Sequence, residues 1–516
     1  LPYPVFVLHD LVLRVLEALM MGHWQTFWVP GRGRSPRGDH PLLSEWVDLE
    51  VREEACRLDP GDPFMVDPDG RVDARLTRYL TRSKFAQLAP ETKRNYVTDY
   101  GVFFDFLWQR GKDWSDATSD DLLDHEDWRR WSPRNEQPIG ASKWNRELAA
   151  LNKLYKWAVA AGHVALSPVT VVDVVGRHGE KISVPAARAT NARSSNVKWL
   201  TPKAFRIWRD VGLRGYGADD RRDPRWRGRS GDRNAAFADL LFSSGMRRSE
   251  AGTLLTIEVP QLEDSTRRWY PGTLSAEATK SRRSRTFYAS AAALRAIDAY
   301  SRTTRRAAIR RAQQHGRYDS IEGLLVVTGR SGFNESVLHW RDERGRPVAR
   351  GLAKLAHAER GRLFIEGDGG LEPLALWLSE DGTPFAPHSW EGVFRAGSAR
   401  CRTVLTEPLF MTPHMCRHSF ALHMLVALHH AMDKRFGLTA EERRDFQMLY
   451  GDPWRMVRDL LGHASQETTR QIYLAPVSDL EIRSLLLEEF DDDSTELLKL
   501  IAAASERVLD SGEECA

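Results

Sequence analysis

The sequence predicts a mainly α protein with a small β-sheet, divided into a helical domain and a larger α+β domain. From residue 75 onward, apolar residues recur at helical spacing over long stretches. One stretch, 269–289, instead separates short aromatic and apolar runs by turn residues, which is typical of β-structure. The 516 residues are enough for about two to four domains that each bury a core.

The helical domain is predicted over 75–168. Pro90 stands where a first-turn proline is tolerated, and a helical stripe follows it. That stripe comprises Tyr96, Tyr100, Phe103, Phe104 and Leu107. A second amphipathic helix runs from about Ala141 to Ala161 and stops at Gly162. Its apolar side comprises Leu148, Leu151, Tyr155, Ala158 and Val159. We expect four or five helices in this domain.

Two segments flank the helical domain. Residues 1–74 form an extension whose apolar opening is interrupted by charged residues, which predicts an amphipathic helix and not a signal peptide or membrane anchor. The extension also contains a loop rich in Gly, Pro and Arg at 29–41. Residues 169–199 are polar, basic and without periodicity, so we expect them to link the two domains.

The α+β domain is predicted over 200–490. Thr201 and Pro202 provide a cap and a first-turn proline, which mark the start of its first helix. The β-like stretch is expected to fold as a hairpin within this domain. Two insertions, at about 314–380 and about 429–452, interrupt it.

Charge is unevenly distributed, although the formal net charge is only +3. Between Glu277 and Arg311, ten arginines and lysines stand against two acids. By contrast, 488–496 holds six acids and no base, and an acidic C-terminal tail covers 491–516. The basic middle favours a polyanionic partner, with an ordinary solvated helix face as the alternative.

The cysteine and histidine patterns argue against structural metal or disulfides. Four cysteines are widely spaced and form no C-x-x-C pair, which favours the reducing cytoplasm over a disulfide framework or a zinc ribbon. His414 and His418 are four residues apart, but Met415 stands where an H-E-x-x-H zinc site needs glutamate. We therefore expect no metal and no other cofactor.

Two sequence blocks place arginine beside polar partners. The block 243–255 (SSGMRRSEAGTLL) puts Arg247 directly after an apolar helix. The block 412–420 (TPHMCRHSF) puts His414 and Arg417 three residues apart, so they share one helix face. Arginine suits the non-bridging oxygens of a phosphodiester, because its planar fork donates parallel hydrogen bonds and keeps its charge.

A third block supplies a nucleophile. Within 460–473 (LLGHASQETTRQIY), Gly462-His463 is followed ten residues later by Tyr473. Phosphodiester transfer needs a nucleophile, cations for the oxygens, an acid for the leaving group and a proton acceptor. Tyr473 fits the first of these roles, with Tyr450 as the alternative nucleophile.

The order of these blocks resembles the tyrosine recombinase (phage integrase) family over roughly 75–490. The resemblance rests on G-x-R-x-S-E at Arg247, H-x-x-R-H at His414, and L-G-H followed by the tyrosine. It implies that Arg247, with Arg248 as its rival, and Arg417 stabilise charge on the reacting phosphate. His414 would then be a general base or a hydrogen-bond partner of that phosphate.

The same resemblance assigns the remaining catalytic roles. Tyr473 would attack the phosphate and form a 3′-phosphotyrosyl bond, while His463 would support the transferred group. Lys280, at the turn of the predicted hairpin, would protonate the leaving 5′-oxygen. His418 is expected to be structural, through packing or a backbone hydrogen bond.

Further cations are expected to bind DNA phosphates. Those at the hairpin turn are Arg282, Arg283 and Arg285. Those in the helical domain, which resembles the family's core-binding domain, are Lys93, Arg94 and Lys143.

The resemblance implies site-specific recombination of double-stranded DNA by a two-domain clamp, without metal or cofactor, to integrate or excise a mobile element. Its implied partners are target duplexes, further copies in a homotetramer on paired sites, and accessory DNA-bending or directionality proteins. No membrane partner and a cytoplasmic location are expected. Two alternatives stay open: relaxation of DNA in the manner of a type IB topoisomerase, and DNA binding without activity.

Overall fold

The computed structural model describes residues 22–29, 59, 61–175, 181–190, 198–262, 267–279, 282–321, 323–342, 344–430, 453–462 and 508–509. The chain divides into two compact units, Leu1–Arg193 and Ser194–Ala516. Helices dominate both, and each sheet is small, so the predicted fold class is confirmed. In the described ranges, no helix combines the length and the apolar content that a membrane crossing requires.

The first unit is built on helices that begin where their caps predict. They are α1 (Ala74–Arg82), α2 (Pro90–Trp108), α3 (Ser119–Arg130) and α4 (Ala141–Ala160). The carboxylate of Asp73 accepts hydrogen bonds from the first backbone N–H groups of α1. Thr118 and Asp121 form a reciprocal capping box at the start of α3. Pro90 lies in the first turn of α2, as the sequence predicts.

An aromatic core joins α2 to α4. Almost all of the predicted apolar stripes are buried, and Tyr100, Phe103 and Leu107 have no exposed side-chain surface. Val159 differs from the prediction, because 39% of it is exposed. Ala158 is buried, and the next residue of a helix points about 100° away from it.

Two hairpins lie outside the predicted helical domain. Strands β1 (Gln25–Trp28) and β2 (Pro63–Val66) pair antiparallel, and the side chain of Met65 is buried in the core of the helical unit. Part of the N-terminal extension therefore belongs to this unit. Strands β3 (Val171–Val175) and β4 (Lys181–Pro185) pair antiparallel within the expected linker. Apolar residues occupy both faces of β3, so the strand shows no apolar-polar alternation.

The second unit begins with a helical core and a hairpin that packs on it. Its first elements are β5 (Trp199–Leu200), α5 (Pro202–Arg214), α6 (Gly231–Ser244), α7 (Arg248–Gly252), β6 (Trp269–Leu274), β7 (Arg285–Ser290) and α8 (Ala291–Tyr300). Thr201 caps α5 through the N–H of Ala204, as predicted. Strands β6 and β7 form the predicted hairpin. Helix α6 runs through the core, where Phe237 stacks on Trp390 with ring centroids 3.6 Å apart.

A five-stranded sheet fills most of the first predicted insertion. The elements are α9 (Arg306–Gln314), β8 (Leu325–Ser331), β9 (Val337–Arg341), β10 (Pro347–Gly351), α10 (His357–Arg360), β11 (Leu363–Gly367) and β12 (Gly370–Pro373). The strand order is β10-β9-β8-β11-β12. The buried guanidinium of Arg305 donates hydrogen bonds to the carbonyls of Pro373, Ala375 and Leu376 at 2.6–3.1 Å. One side chain therefore satisfies three backbone acceptors where the sheet returns to the core.

The last described elements return the chain to the start of the unit. They are α11 (Trp390–Val404), α12 (Pro413–His430), α13 (Pro453–Leu461) and β13 (Val508–Leu509). Strand β13 pairs in parallel with β5, and the Leu200 N–H donates to the Ser419 hydroxyl at 2.9 Å. Most of the second predicted insertion and most of the acidic tail lie outside the described residues.

Candidate active site

Arg247 is positioned by a tight turn at the end of α6. The helix ends at Gly245, whose φ is +63°, a conformation that glycine adopts without a side-chain clash. A Cβ atom at this position would lie 2.2 Å from the ring of Phe420, on α12. Both the positive φ and the close approach of Phe420 therefore require glycine in this turn. The turn places Arg247 at the N-terminal cap of α7.

Glu250 is the buried centre of the site. Its side chain has no exposed surface, and it accepts hydrogen bonds from the backbone N–H and the Nη1 of Arg247, both at 2.8 Å. Arg285 Nη2, from β7, donates to the same carboxylate at 2.7 Å. Burial raises the pKa of Glu250, but Arg285, Arg247 and Arg417 outweigh burial and hold that pKa below its ordinary value.

Two arginines bind the C-terminal end of α13. Arg285 Nη1 donates to the carbonyl of Leu460 at 2.6 Å, and Arg417 Nη2 donates to that of Leu461 at 2.5 Å. The last carbonyls of a helix have no intrahelical donor and carry partial negative charge, so cations stabilise them. Gly462 follows with φ +65°, and a Cβ there would lie 2.7 Å from Cδ of Arg285.

Arg417 also links this helix end to the first arginine. Its Nη1 donates to the carbonyl of Gly245 at 2.6 Å, two residues before Arg247. The Arg417 side chain is almost completely buried, so its guanidinium is held in one place. A guanidinium has five N–H donors, and two of the donors of Arg417 serve these two carbonyls.

His414 lies one turn before Arg417 on α12. Burial lowers the pKa of His414, and the positive charges of Arg417 and Arg247 lower it further. The imidazole is therefore neutral at pH 7 and has a nitrogen that accepts a proton. His418 is buried against it, with ring centroids 4.2 Å apart, which is the packing role predicted for His418.

Three predicted catalytic residues lie outside the described residues: Lys280, His463 and Tyr473. Tyr450, the alternative nucleophile, lies outside them as well. The part that the structure describes brings together Arg247, His414 and Arg417 around Glu250. Within it, no group of three or more His, Cys, Asp or Glu side chains is arranged to hold a metal ion.

The hairpin cations predicted to bind phosphates fall into two groups. Arg282 and Arg283 are exposed at the turn, and Arg282 has φ +50°. Arg285 is 9% exposed and is engaged by Glu250 and Leu460. The sequence analysis did not predict the contacts of Arg285 with Glu250 and Leu460. The alternation of side chains along β7 does indicate that Arg285 lies on the buried face of this strand. Arg285 shares a face with the buried Phe287 and Ala289, because side chains alternate along a strand.

The cations predicted to bind DNA in the first unit are anchored by acids or an aromatic ring. Lys93 Nζ lies 3.6 Å from Asp62, and the Arg94 guanidinium lies 5.9 Å from the centre of the Trp28 ring. Lys143 has a larger set of partners: its Nζ contacts the buried carboxylates of Asp99 and Glu147 at 2.6 and 3.1 Å.

Comparisons with known proteins identify one domain. Residues 75–162 match the family described as "Phage integrase, N-terminal SAM-like domain", which confirms the predicted family for α1 to α4. No curated protein matches the chain.

Three solved structures illustrate what the chain is similar to. One is XerH site-specific recombinase bound to a palindromic difH substrate, a post-cleavage complex (11% identity, 81% of this chain and 85% of that chain, TM-score 0.41). Another is Tn1549 transposon integrase in complex with a circular intermediate DNA (12% identity, 79% of this chain and 97% of that chain, TM-score 0.43). The third is a lambda integrase dimer bound to a COC′ core site (11%, 78% and 94%, 0.34). Similarities this distant carry no argument about the site.

Proposed function

We propose that this chain, whose residues 75–162 are a phage integrase N-terminal domain, is a tyrosine recombinase that cuts and rejoins DNA at specific sites. The observation that carries the proposal is the arrangement around Glu250. Arg247, Arg417 and Arg285 surround this one buried carboxylate, and His414 lies in the field of the first two. Such a preorganised cationic site suits the charge that develops on a phosphodiester under attack.

The proposed reaction exchanges one phosphodiester for another. The hydroxyl of Tyr473 attacks the scissile phosphorus, a 3′-phosphotyrosyl bond forms, and the bond to the 5′-oxygen breaks. Arg247 and Arg417 stabilise the added negative charge, and one such contact is typically worth about 3–4 kcal/mol. A 5′-hydroxyl then attacks the same phosphorus, the bond to the tyrosine oxygen breaks, and Tyr473 takes up a proton and is released. One phosphodiester thus replaces another, so the cycle consumes no ATP.

Proton transfers are assigned to two side chains, and orientation of the phosphate to a third. A tyrosine titrates near pH 10, so its hydroxyl needs an acceptor or strong positive charge nearby to react at neutral pH. The neutral imidazole of His414 supports the role of acceptor. Lys280 protonates the leaving 5′-oxygen, and His463 orients the transferred phosphate. His463 directly follows Gly462, where Arg285 and Arg417 bind the end of α13.

The substrate is a pair of double-stranded target sites, and the biological outcome is integration or excision of a mobile element. Lys93, Arg94 and Lys143 bind phosphates through the first unit, and Arg282 and Arg283 through the hairpin. Lys93 and Lys143 already contact carboxylates, so we propose that each shares its three N–H donors between these acids and a phosphate. We further propose a homotetramer on paired sites, assisted by accessory proteins.

A covalent-adduct trap tests the proposal. Wild type, Tyr473→Phe and the matched control Tyr450→Phe are expressed with the native locus, complexes are stripped with detergent, and attached DNA is sequenced. Adducts at one discrete sequence are expected from wild type and Tyr450→Phe, and none from Tyr473→Phe. Adducts that persist in Tyr473→Phe and disappear in Tyr450→Phe would move the nucleophile to Tyr450.

Two other results separate the alternative functions. Relaxation of supercoiled DNA without recombinant product would indicate topoisomerase-like activity. Sequence-specific binding without an adduct from any variant would indicate a DNA-binding protein that does not cut.

A further inference from the structure

A loop between α5 and α6 concentrates positive charge away from the candidate active site. Five arginines lie within nine residues of this arginine loop (residues 215–230), and all five are exposed. They are Arg221, Arg222, Arg225, Arg227 and Arg229. In the described part of the chain, none of the five forms an ion pair with a carboxylate, whereas Arg209 and Arg214 on α5 both do.

The loop is built as a fixed structure. Asp223 forms an ion pair with Arg400 of α11 at 3.0 Å, and the same guanidinium donates to the carbonyl of Val211 at 2.9 Å. The ring of Trp226 fills the space beside Gly215 and Gly228, where an added Cβ would lie 2.2–2.3 Å from it. Asp223, which lies between the arginines, is therefore used to hold the loop. The other two acids of the loop, Asp219 and Asp220, precede the arginines, and the Asp219 carboxylate accepts from the backbone N–H of Arg221 at 3.2 Å.

The loop and Arg247 lie at opposite ends of α6. This helix has 14 residues, which corresponds to about 21 Å, and most of its length is buried. The arginines therefore do not contribute to the site around Glu250. Helix α11, to which Arg400 ties the loop, exposes two further arginines, Arg395 and Arg402, which also lack an ion pair in the described part.

We propose that the arginine loop is a second phosphate-binding surface for duplex DNA, separate from the candidate active site. Unpaired guanidinium groups on a fixed frame suit a repeating array of anions, and duplex DNA offers one charge per about 1.7 Å of its axis. The arginines on α11 extend the basic surface beyond the loop, which favours a long polyanion over a short acidic peptide. The choice of DNA as the partner rests on the proposed function. The observation that the loop arginines form no ion pair with a carboxylate in the described part of the chain is independent of that proposal.

The experiment measures the salt dependence of binding to a nonspecific duplex of about 30 base pairs, roughly three helical turns. One variant replaces the five loop arginines by Gln and keeps Asp223, Trp226 and Arg400. The slope of log K against log salt is negative, and each lost phosphate contact reduces its magnitude by about 0.9. For the loop variant we therefore expect a slope whose magnitude is smaller by about 2 to 4. Replacement of the same five by Lys keeps the charge and should keep the slope.

A matched control removes equal charge elsewhere in the unit. It replaces five arginines of the inserted sheet by Gln: Arg330, Arg341, Arg344, Arg346 and Arg350. Three of these form ion pairs with Glu335, Asp342 and Glu359, so they have carboxylate partners already. We expect this control to change the slope by less than about one. Thermal melting of every variant verifies that it is folded.

Three results would overturn the proposal. The first is an equal fall in slope for the loop variant and the sheet control, which would make net charge the cause. The second is an unchanged slope in the loop variant. The third is binding of a synthetic peptide of residues 488–496 to wild type but not to the loop variant, which would make the acidic stretch the partner. A wild-type protein that binds no duplex would refute the proposed function as well.

Discussion

Replacement of Glu250 by Gln should damage both the stability and the reactivity of the second unit. The amide keeps the shape of the carboxylate but removes its charge, and it turns an N–H group toward the donors of Arg247 and Arg285. Only 9% of the Arg285 side chain is exposed, so its charge would remain buried without a carboxylate partner. Removal of one member of a buried pair costs about 3–5 kcal/mol, and we expect an unfolding free energy lower by that amount.

The reactivity should fall because the amide has a single acceptor oxygen, so Arg247 loses one of the two hydrogen bonds that fix it. One misplaced contact to the reacting phosphate corresponds to about a 100-fold slower cleavage step. The assay is single-turnover formation of the phosphotyrosyl adduct on a site recovered from the adduct trap, at a temperature where the variant is folded. Urea unfolding of the same protein measures the loss of stability.

Glu258→Gln is the matched control for this prediction. Glu258 is also buried, forms an ion pair with the buried Arg360, and accepts a hydrogen bond from Ser275 at 3.0 Å. It lies outside the candidate site, so the control should lose similar stability and keep its cleavage rate within a few-fold. Equal loss of cleavage in both variants would refute the reasoning, because general destabilisation would then explain it. Wild-type cleavage by folded Glu250→Gln would refute it as well.

Three further variants test the turns and the first unit. Gly245→Ala should lower the unfolding free energy by about 2–4 kcal/mol in urea titrations, because φ is +63° and Phe420 occupies the space. A loss no larger than that of Gly392→Ala, on α11, where an added Cβ meets nothing within 4 Å, would contradict this. Gly462→Ala should slow adduct formation more than it weakens DNA binding, since the new Cβ displaces Arg285. Between pH 7 and pH 5, His125 should cost the wild type about 2 kcal/mol of unfolding free energy, and His125→Phe should not show this loss.

The sign of the His125 effect follows from its surroundings. Burial lowers the pKa of His125 from 6.5 to about 3, and the charges of Arg129 and Arg110 add to the effect. The unfolded chain therefore binds more protons than the folded chain below pH 6.5, and stability falls as the pH drops. Urea unfolding at pH 7 and pH 5 measures the difference, and an equal pH dependence in the variant would count against the assignment.

Local signals predicted elements in each of the two units. The proline and the cap at Thr201 and Pro202 fixed the start of α5, and the stripe from Tyr100 to Leu107 identified the buried face of α2. The G-x-R-x-S-E and H-x-x-R-H blocks led to side chains that do meet around Glu250. These features depend on neighbours within a few residues, which a sequence displays directly.

Contacts between distant segments escaped prediction. Arg285 reads as one more cation in a basic turn, and only the folded chain reveals that it joins Glu250 to Leu460. The inserted sheet was missed for a related reason. Its central pair, β8 and β11, is parallel, so no tight-turn signal marks that pair. The antiparallel pair β11 and β12 does carry a turn signal, the Gly-Asp-Gly-Gly sequence at 367–370, which the Gly- and Arg-rich composition of the insertion concealed. The catalytic roles of Arg247, Lys280, His414, Arg417, His463 and Tyr473 stay predictions.

The guanidinium of Arg305 has a consequence for how this chain can vary over evolution. It gathers three carbonyls at the point where the polypeptide leaves the five-stranded sheet, and the Leu376 N–H bonds to the carbonyl of Leu254 at 2.9 Å close by. These hydrogen bonds satisfy the backbone groups where the sheet joins the core of the unit. Arg360 of α10 adds a second tie, because it donates to the carbonyl of Thr253 at the end of α7 at 3.0 Å. We expect length changes in the hairpin turns to be tolerated as long as they leave Arg305 and Arg360 in place.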